Sequence, residues 1–264
     1  MSRIRVGIGG WNFAPWRKIF YPDDLPQARE LHYASRHVTS IEINSTFYRT
    51  QSPQSYRRWA DETPDDFVFS LKAHRVVTHR KLLVEAGPAI ENFMASGLSE
   101  LKDKLGPIVW QFAPTKKFEP DDFEAFLAML PSEFEGRRQR HVVEVRHDSF
   151  CTAEFIDLAR SYSVAICIAD SQKYPLIADL TADFVYARLQ SSSDDYETGY
   201  SSAALDLWTK RAKSWAAGAM PEDLPSLSDK PAPHAASRDC FIYFIAGAKH
   251  RNPTAAQAMI ERVA

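Results

Sequence analysis

With 264 residues, 45% of them hydrophobic, the chain is long enough to bury a substantial core and too apolar to be a disordered polyelectrolyte. A formal net charge of −2 and a pI near 6.5 exclude a broadly basic nucleic-acid coat, so any anion binding must be local. No run is apolar and long enough to span a membrane, and MSRIRVGIGGW enters a strand without an apolar signal core, so a cytoplasmic protein with one domain over residues 1–264 is expected.

Val-, Ile- and Phe-rich runs read as strands, and the stretches between them as helices. IRVGIGG (4–10) precedes a helix at 26–36, VTSIEIN (38–44) one at 54–60, FVFSLK (67–72) one at 85–104 and PIVWQF (107–112) one at 121–130. HVVEVR (141–146) precedes a helix at 153–162, VAICIAD (164–170) a weaker one at 175–180, and FVYARL (184–189) one at 205–217. CFIYFI (240–245) leads to a last helix at 253–263, with Asn252 as its N-cap and Pro253 at its first position. Eight such repeats, with strands apolar on both faces, predict a parallel (β/α)8 TIM-type barrel; an open doubly wound sheet is the rival. Residues 218–239, rich in proline and serine, form an irregular insert before the last strand, on the face opposite the chemistry of a barrel.

Against that frame of apolar strands, Glu42 and Glu144 stand out, because strands covered on both faces bury charge only when it is paired or used. In a barrel every strand delivers its C-terminal end to one mouth. Glu42 and Asn44 share a face of the second strand, with Tyr48 just beyond, and Glu144 and Arg146 share a face of the fifth, followed by His147. Trp11, Lys72, Gln111, Asp170 and Arg188 end the first, third, fourth, sixth and seventh strands. One pair alone, such as Glu42 with Lys72, reads equally well as an ion pair closing the core. Polar residues at the same end of seven strands favour a site.

Other features carry less. Gly7, Gly9 and Gly10 do not complete a GxGxxG fingerprint and mark either a tight turn or a close approach to ligand under Trp11. Trp16, Phe20 and Tyr21 suit a hydrophobic lid better than a stacking platform. Lys249, His250 and Arg251 precede the last helix, where a phosphate site and a solvated basic loop are both open readings. The acidic loop at 191–200 is a solvated turn able to close over the mouth. Cys151, Cys167 and Cys240 lack CxxC spacing and read as reduced thiols.

Taken together in this order, GGWNFAPWRKIFYP, SIEINSTFYR, FVFSLKA with VTHR, GPIVWQFAP, VVEVRHDSF, ADSQKYP and FVYARLQ resemble the YecE-like family, domain of unknown function 72, over nearly the whole chain. The resemblance implies a TIM-type barrel and polar positions at Glu42, Asn44, Tyr48, Lys72, Glu144, Arg146, His147 and Arg188, and brings no established reaction with it. Many members end the last strand in an asparagine-rich FNN-type sequence, where this chain has FIAGAKHRNPTAAQA, leaving the basic loop to serve in place of those asparagines.

The expected function is enzymatic, on a small anionic substrate, phosphorylated or sugar-like, without a cofactor. Glu42 and Glu144 are the acid-base candidates, with Lys72 and His147 beside them. Trp11, Asn44, Tyr48, Gln111, Arg146, Asp170 and Arg188 are expected to bind substrate. One alternative is metal-assisted phosphoester hydrolysis through Glu42, Glu144, Asp170 and His147, although cations already neutralise the mouth and no HxH or HExxH spacing occurs. Another is a non-catalytic protein binding nucleic acid or phosphate through Arg146, Arg188, Lys249 and Arg251, which the overall charge disfavours.

Overall fold

Residues 3–264 are described by a computed structural model. The barrel strands are β1 (Ile4–Gly9), β2 (Ser40–Ile43), β3 (Val68–Lys72), β4 (Leu105–Gln111), β5 (His141–Glu144), β6 (Ala165–Ile166 and Ile168–Asp170), β7 (Phe184–Leu189) and β8 (Asp239–Phe244). All pair in parallel within one sheet, as the alternation of strands and helices predicts. That sheet has nine segments because β6 is broken at Cys167. Its first half pairs with β5 through Val142 and Ala165, and its second with β7 through Arg188 and Ala169, so both ends of the sheet meet on one stretch of chain and the barrel closes.

The two-residue period divides each strand between two apolar clusters. Ile41, Ile43, Phe69, Leu71, Ile108 and Trp110 belong to the outer core, which extends into the helices. Val68, Val109, Val142, Cys167, Tyr186, Phe241 and Tyr243 alternate with them and fill the lumen. A side chain at Gly7 would put its Cβ 1.9 Å from the Ser40 carbonyl oxygen and 3.2 Å from the Tyr243 ring, so glycine is required where that ring packs. The Tyr243 hydroxyl then bonds Ser40 and Ser70, each at 2.6 Å, which satisfies a phenol buried in the middle of the barrel.

The helices are α1 (Glu30–Ala34), α2 (Pro53–Glu62), α3 (Arg75–Thr78), α4 (Gly87–Met94), α5 (Pro120–Ala128), α6 (Ala153–Ser161), α7 (Ser202–Ala216) and α8 (Asn252–Val263). None among the described residues is long and apolar enough to cross a membrane. Three expectations change. The stretch 85–104 is not one helix: α4 stops at Met94, and Gly97, with φ of +95°, turns the chain into a separate 3-10 segment, Leu98–Lys104. The weak helix at 175–180 does not form. There Asp179 accepts hydrogen bonds from the backbone of Leu227 and Ser228 and from the Ser226 hydroxyl, while the Leu180 carbonyl accepts one from Arg160, so tertiary partners hold this segment out of a helix. The irregular insert is therefore anchored where the strands begin, away from the mouth. Finally, α8 starts at Asn252 itself, whose side chain bonds Ser192 and the Ala246 carbonyl instead of capping.

Candidate anion-binding site at the barrel mouth

The strand ends converge on Arg188. Its Nη1 donates to Glu144 Oε2 and its Nη2 to Glu42 Oε1 at 3.1 Å. Since β7 pairs only with β6 and β8, these bonds to β2 and β5 reach across the lumen and tie together strands that are not neighbours. Every carboxylate oxygen is occupied. Glu144 also accepts from Gln111 Nε2 at 2.8 Å and from Arg146 Nε and Nη2 at 2.9 and 2.8 Å, and Glu42 Oε2 accepts from the Tyr186 hydroxyl at 2.6 Å.

Burial alone would push the Glu144 carboxyl up, but Arg188 and Arg146, helped by Gln111, bring it down to about 2. For Arg188, burial works against the charge, and Glu144 and Glu42 more than restore it, so the guanidinium stays protonated. Burial, then Glu42, raise the Tyr186 phenol well above its usual range, which keeps it a hydrogen-bond donor.

Lys72 is different. The ion pair with Glu42 suggested by neighbouring strands does not form, because Arg188 and Tyr186 already take both Glu42 oxygens. The ammonium instead lies 3.8 Å over the Phe47 ring, 7% exposed, with no hydrogen-bond partner among the described residues. Burial and Arg188 push it down, Glu42 and Glu144 restore only part, and it settles at about 8.

Above these groups opens a cavity of about 550 Å³ lined by Asn44, Tyr48, Lys72, Gln111, Arg146, Arg188 and Lys249, together with Phe47, His79 and Gln190. Glu42 and Glu144 do not line it; they lie beneath. Asn44 donates to the Glu42 carbonyl at 3.2 Å, and Tyr48, 64% exposed, forms part of the rim. Arg146 is stacked 4.3 Å from the Tyr174 ring, which fixes its guanidinium between Glu144 and the opening. Lys249 is held over Phe13 at 4.2 Å, and its carbonyl accepts from Trp16 Nε1, so the packed loop of Trp16, Phe20 and Tyr21 buttresses this lysine.

Three sequence-chosen residues stand apart. Gly10, with φ of +75°, turns the chain so that Trp11 packs edge-on against Trp59 at 5.2 Å and lines an adjoining cavity of about 470 Å³. His147 accepts the Ser149 backbone N–H at 3.1 Å and so caps a short 3-10 turn. Asp170 accepts from Ser191 and from the Tyr200 hydroxyl, 3.1 and 2.9 Å away, which pins the loop after β7. Glu42, Glu144, Asp170 and His147 do not assemble into a ligand set, and among the described residues no three His, Cys, Asp or Glu side chains are grouped to hold a metal.

In the basic loop His250 and Arg251 pair with Asp194 of the acidic loop at 2.7 and 3.4 Å, so the two loops neutralise each other and Lys249 alone faces the mouth. Cys151, Cys167 and Cys240 are free thiols. Sequence reasoning missed Tyr186 and Gln190, although Tyr186 shares a strand face with Arg188 by the two-residue period, Gln190 follows two residues beyond it just past the strand, and a buried tyrosine hydroxyl usually finds a partner. Tyr174 sits in a coil segment with no periodic signal.

Residues 5–264 match the family described as Protein of unknown function DUF72. The UPF0759 protein YecE of Escherichia coli K12 is 29% identical over 150 residues, 56% of this chain and 50% of that protein. YunF of Bacillus subtilis 168, also a UPF0759 protein, is 28% identical over 116 residues, 42% of this chain and 40% of its own length. The chain thus spans about half the length of the curated relatives it matches, or less. Crystal structures of a DUF72 family protein from Thermotoga maritima MSB8 and of another from Enterococcus faecalis V583 share the fold, with TM-scores of 0.76 and 0.70 at 20% and 13% identity. The first covers 98% of both chains, the second 99% of this chain and 95% of its own. The chain belongs to the DUF72 family.

Proposed function

We propose that the chain is an enzyme acting on a small anionic substrate, phosphorylated or sugar-like, bound in the mouth cavity by Arg146, Arg188 and Lys249, with Lys72 exchanging a proton near neutral pH. One observation carries this reading: around the two buried carboxylates stand three cations, Arg188, Arg146 and Lys72, and Lys249 adds a fourth at the rim. Surplus positive charge facing a cavity favours an anion, and stacked or bidentate arginines suit phosphate and carboxylate groups.

The two carboxylates fit a supporting role better than the acid-base role their sequence positions suggest. A group held at about 2 is a feeble base and is never protonated near neutral pH, so Glu144 has no proton to give. Glu42 has both oxygens engaged and is 0% exposed. Together they align the arginines, while Lys72, at about 8, is matched to proton transfer under ordinary conditions.

Thermal unfolding in increasing inorganic phosphate, and then across a panel of phosphorylated and carboxylated sugars, tests the reading. Expected is a concentration-dependent rise in Tm that disappears in Arg146→Ala, with turnover of the stabilising compound abolished in Lys72→Met. If no anion in the panel raises Tm, the reading fails. A response to polyanions alone, lost steeply with salt, would instead identify a nucleic-acid binder.

A further inference from the structure

We propose that Lys72 is a covalent nucleophile that forms an imine with its substrate, which makes the substrate class a carbonyl compound bearing an anionic group. The inference rests on the anion-pocket reading and adds the reactive functional group.

A lysine that only holds charge is normally met by a carboxylate or by carbonyl oxygens, and Lys104, which donates to the carbonyls of Ala60 and Thr63, shows that pattern in this protein. Lys72 has no such partner among the described residues, although two carboxylates stand nearby. Arg188, Arg146, Gln111 and Tyr186 have taken their oxygens, so the carboxylates cannot trap the amine as an ion pair. Burial and the neighbouring Arg188 guanidinium make the neutral amine easier to reach than in an exposed lysine, and the neutral amine is the nucleophile.

Position serves the same chemistry. Lys72 closes β3, whose backbone is paired on both edges and whose Lys72 carbonyl accepts from Thr46 at 2.7 Å, so the side chain starts from a fixed point on the cavity wall. The cavity in front of it has room for a sugar-sized molecule, and Arg146, Arg188 and Lys249 line the same space to hold an anionic group. The amine lone pair attacks the carbonyl carbon, a C–N bond forms, and the C=O π pair moves to oxygen, giving a carbinolamine after proton transfer from nitrogen. The C–O bond then breaks, water leaves with the second hydrogen of the amine, and the C=N bond results. One proton from solvent converts it to the iminium ion, an electron sink for bond cleavage or proton abstraction beside the former carbonyl.

The probe is pyridoxal 5′-phosphate, which joins an aldehyde to a phosphate, followed by cyanoborohydride reduction and peptide mapping. At limiting probe, the reduced adduct is expected on Lys72 with roughly tenfold preference over exposed lysines such as Lys230, since far more of the Lys72 amine is neutral at a given pH. Excess inorganic phosphate should suppress it. Lys72→Arg keeps the positive charge and should retain phosphate stabilisation while losing the adduct; Lys72→Met serves as a second variant should the arginine not fit. Phosphate stabilisation of the wild type with label spread over surface lysines and none on Lys72 overturns the covalent role and leaves the anion pocket standing. Absence of phosphate stabilisation overturns the pocket itself, and the imine with it.

Discussion

Arg188 Nη2 lies 3.1 Å from Glu42 Oε1 although two strands separate theirs in the barrel, and the same guanidinium reaches Glu144 with its other terminal nitrogen. All three side chains are almost wholly buried. Removing the cation therefore strands two carboxylates in the lumen. Arg188→Met is expected to cost about 3–5 kcal/mol of unfolding free energy. The double substitution with Glu144→Gln should cost less than the sum of the two single substitutions, because part of the penalty is the carboxylate left unpaired. Denaturant titration of the four proteins in this cycle measures both. Additive costs would mean that the two side chains act independently, contrary to the geometry.

Acid should weaken the protein in a defined window. Glu144 has a folded-state pKa of about 2 against an ordinary 4.5, so between these values the unfolded chain binds the proton more readily. The stabilisation is fully present above 4.5 and is lost as pH falls through about 2. One such site contributes a slope of up to about 1.4 kcal/mol per pH unit. Denaturant midpoints at pH 6, 4 and 3 should fall accordingly for the wild type and more gently for Glu144→Gln. Equal slopes would remove Glu144 as the source.

The barrel was legible because parallel strands covered on both faces carry a dense apolar signal, and polar residues at the C-terminal ends of those strands singled out Glu42, Lys72, Gln111, Glu144 and Arg188. Partnership was not legible. Adjacent strands suggested Glu42 with Lys72, yet a planar guanidinium from across the lumen bridges two carboxylates in a way that an ammonium cannot. That choice depends on how the closed barrel aligns opposite strands, which no local pattern encodes. Residues 175–180 were misread for a related reason: the hydrogen bonds to Asp179 that hold this segment out of a helix come from residues 226–228, far along the chain.

His147 illustrates a second limit, since a histidine following a polar strand end looks reactive until its neighbours are placed. Its Nδ1 accepts the Ser149 N–H, and the Ser149 hydroxyl stands 3.0 Å from the same nitrogen, so the ring serves a turn. His147→Ala is expected to lower stability by about 1 kcal/mol, as for the loss of a cap, and to leave phosphate-dependent stabilisation unchanged. Parallel thermal titrations of wild type and variant in phosphate would reveal a direct role for the imidazole if the increments differ.

Lys72 offers the sharpest separation of stability from function. Its folded pKa of about 8, below an ordinary 10.5, means that the charged amine opposes folding at neutral pH. Between 8 and 10.5 the unfolded chain holds the proton while the folded chain releases it, so stability attributable to this group rises with pH across that window. Methionine approximates the neutral amine in shape and is compatible with the Phe47 ring. Lys72→Met should therefore be more stable than the wild type at pH 7, by on the order of 1–3 kcal/mol, and the difference should shrink towards pH 10.5. Urea titrations of both proteins at pH 7 and at the highest pH where they remain folded give the comparison. A variant less stable than the wild type at pH 7 would mean that the ammonium is a structural partner in the barrel, and an amine committed to packing in that way has no claim to be the reactive group of the mouth.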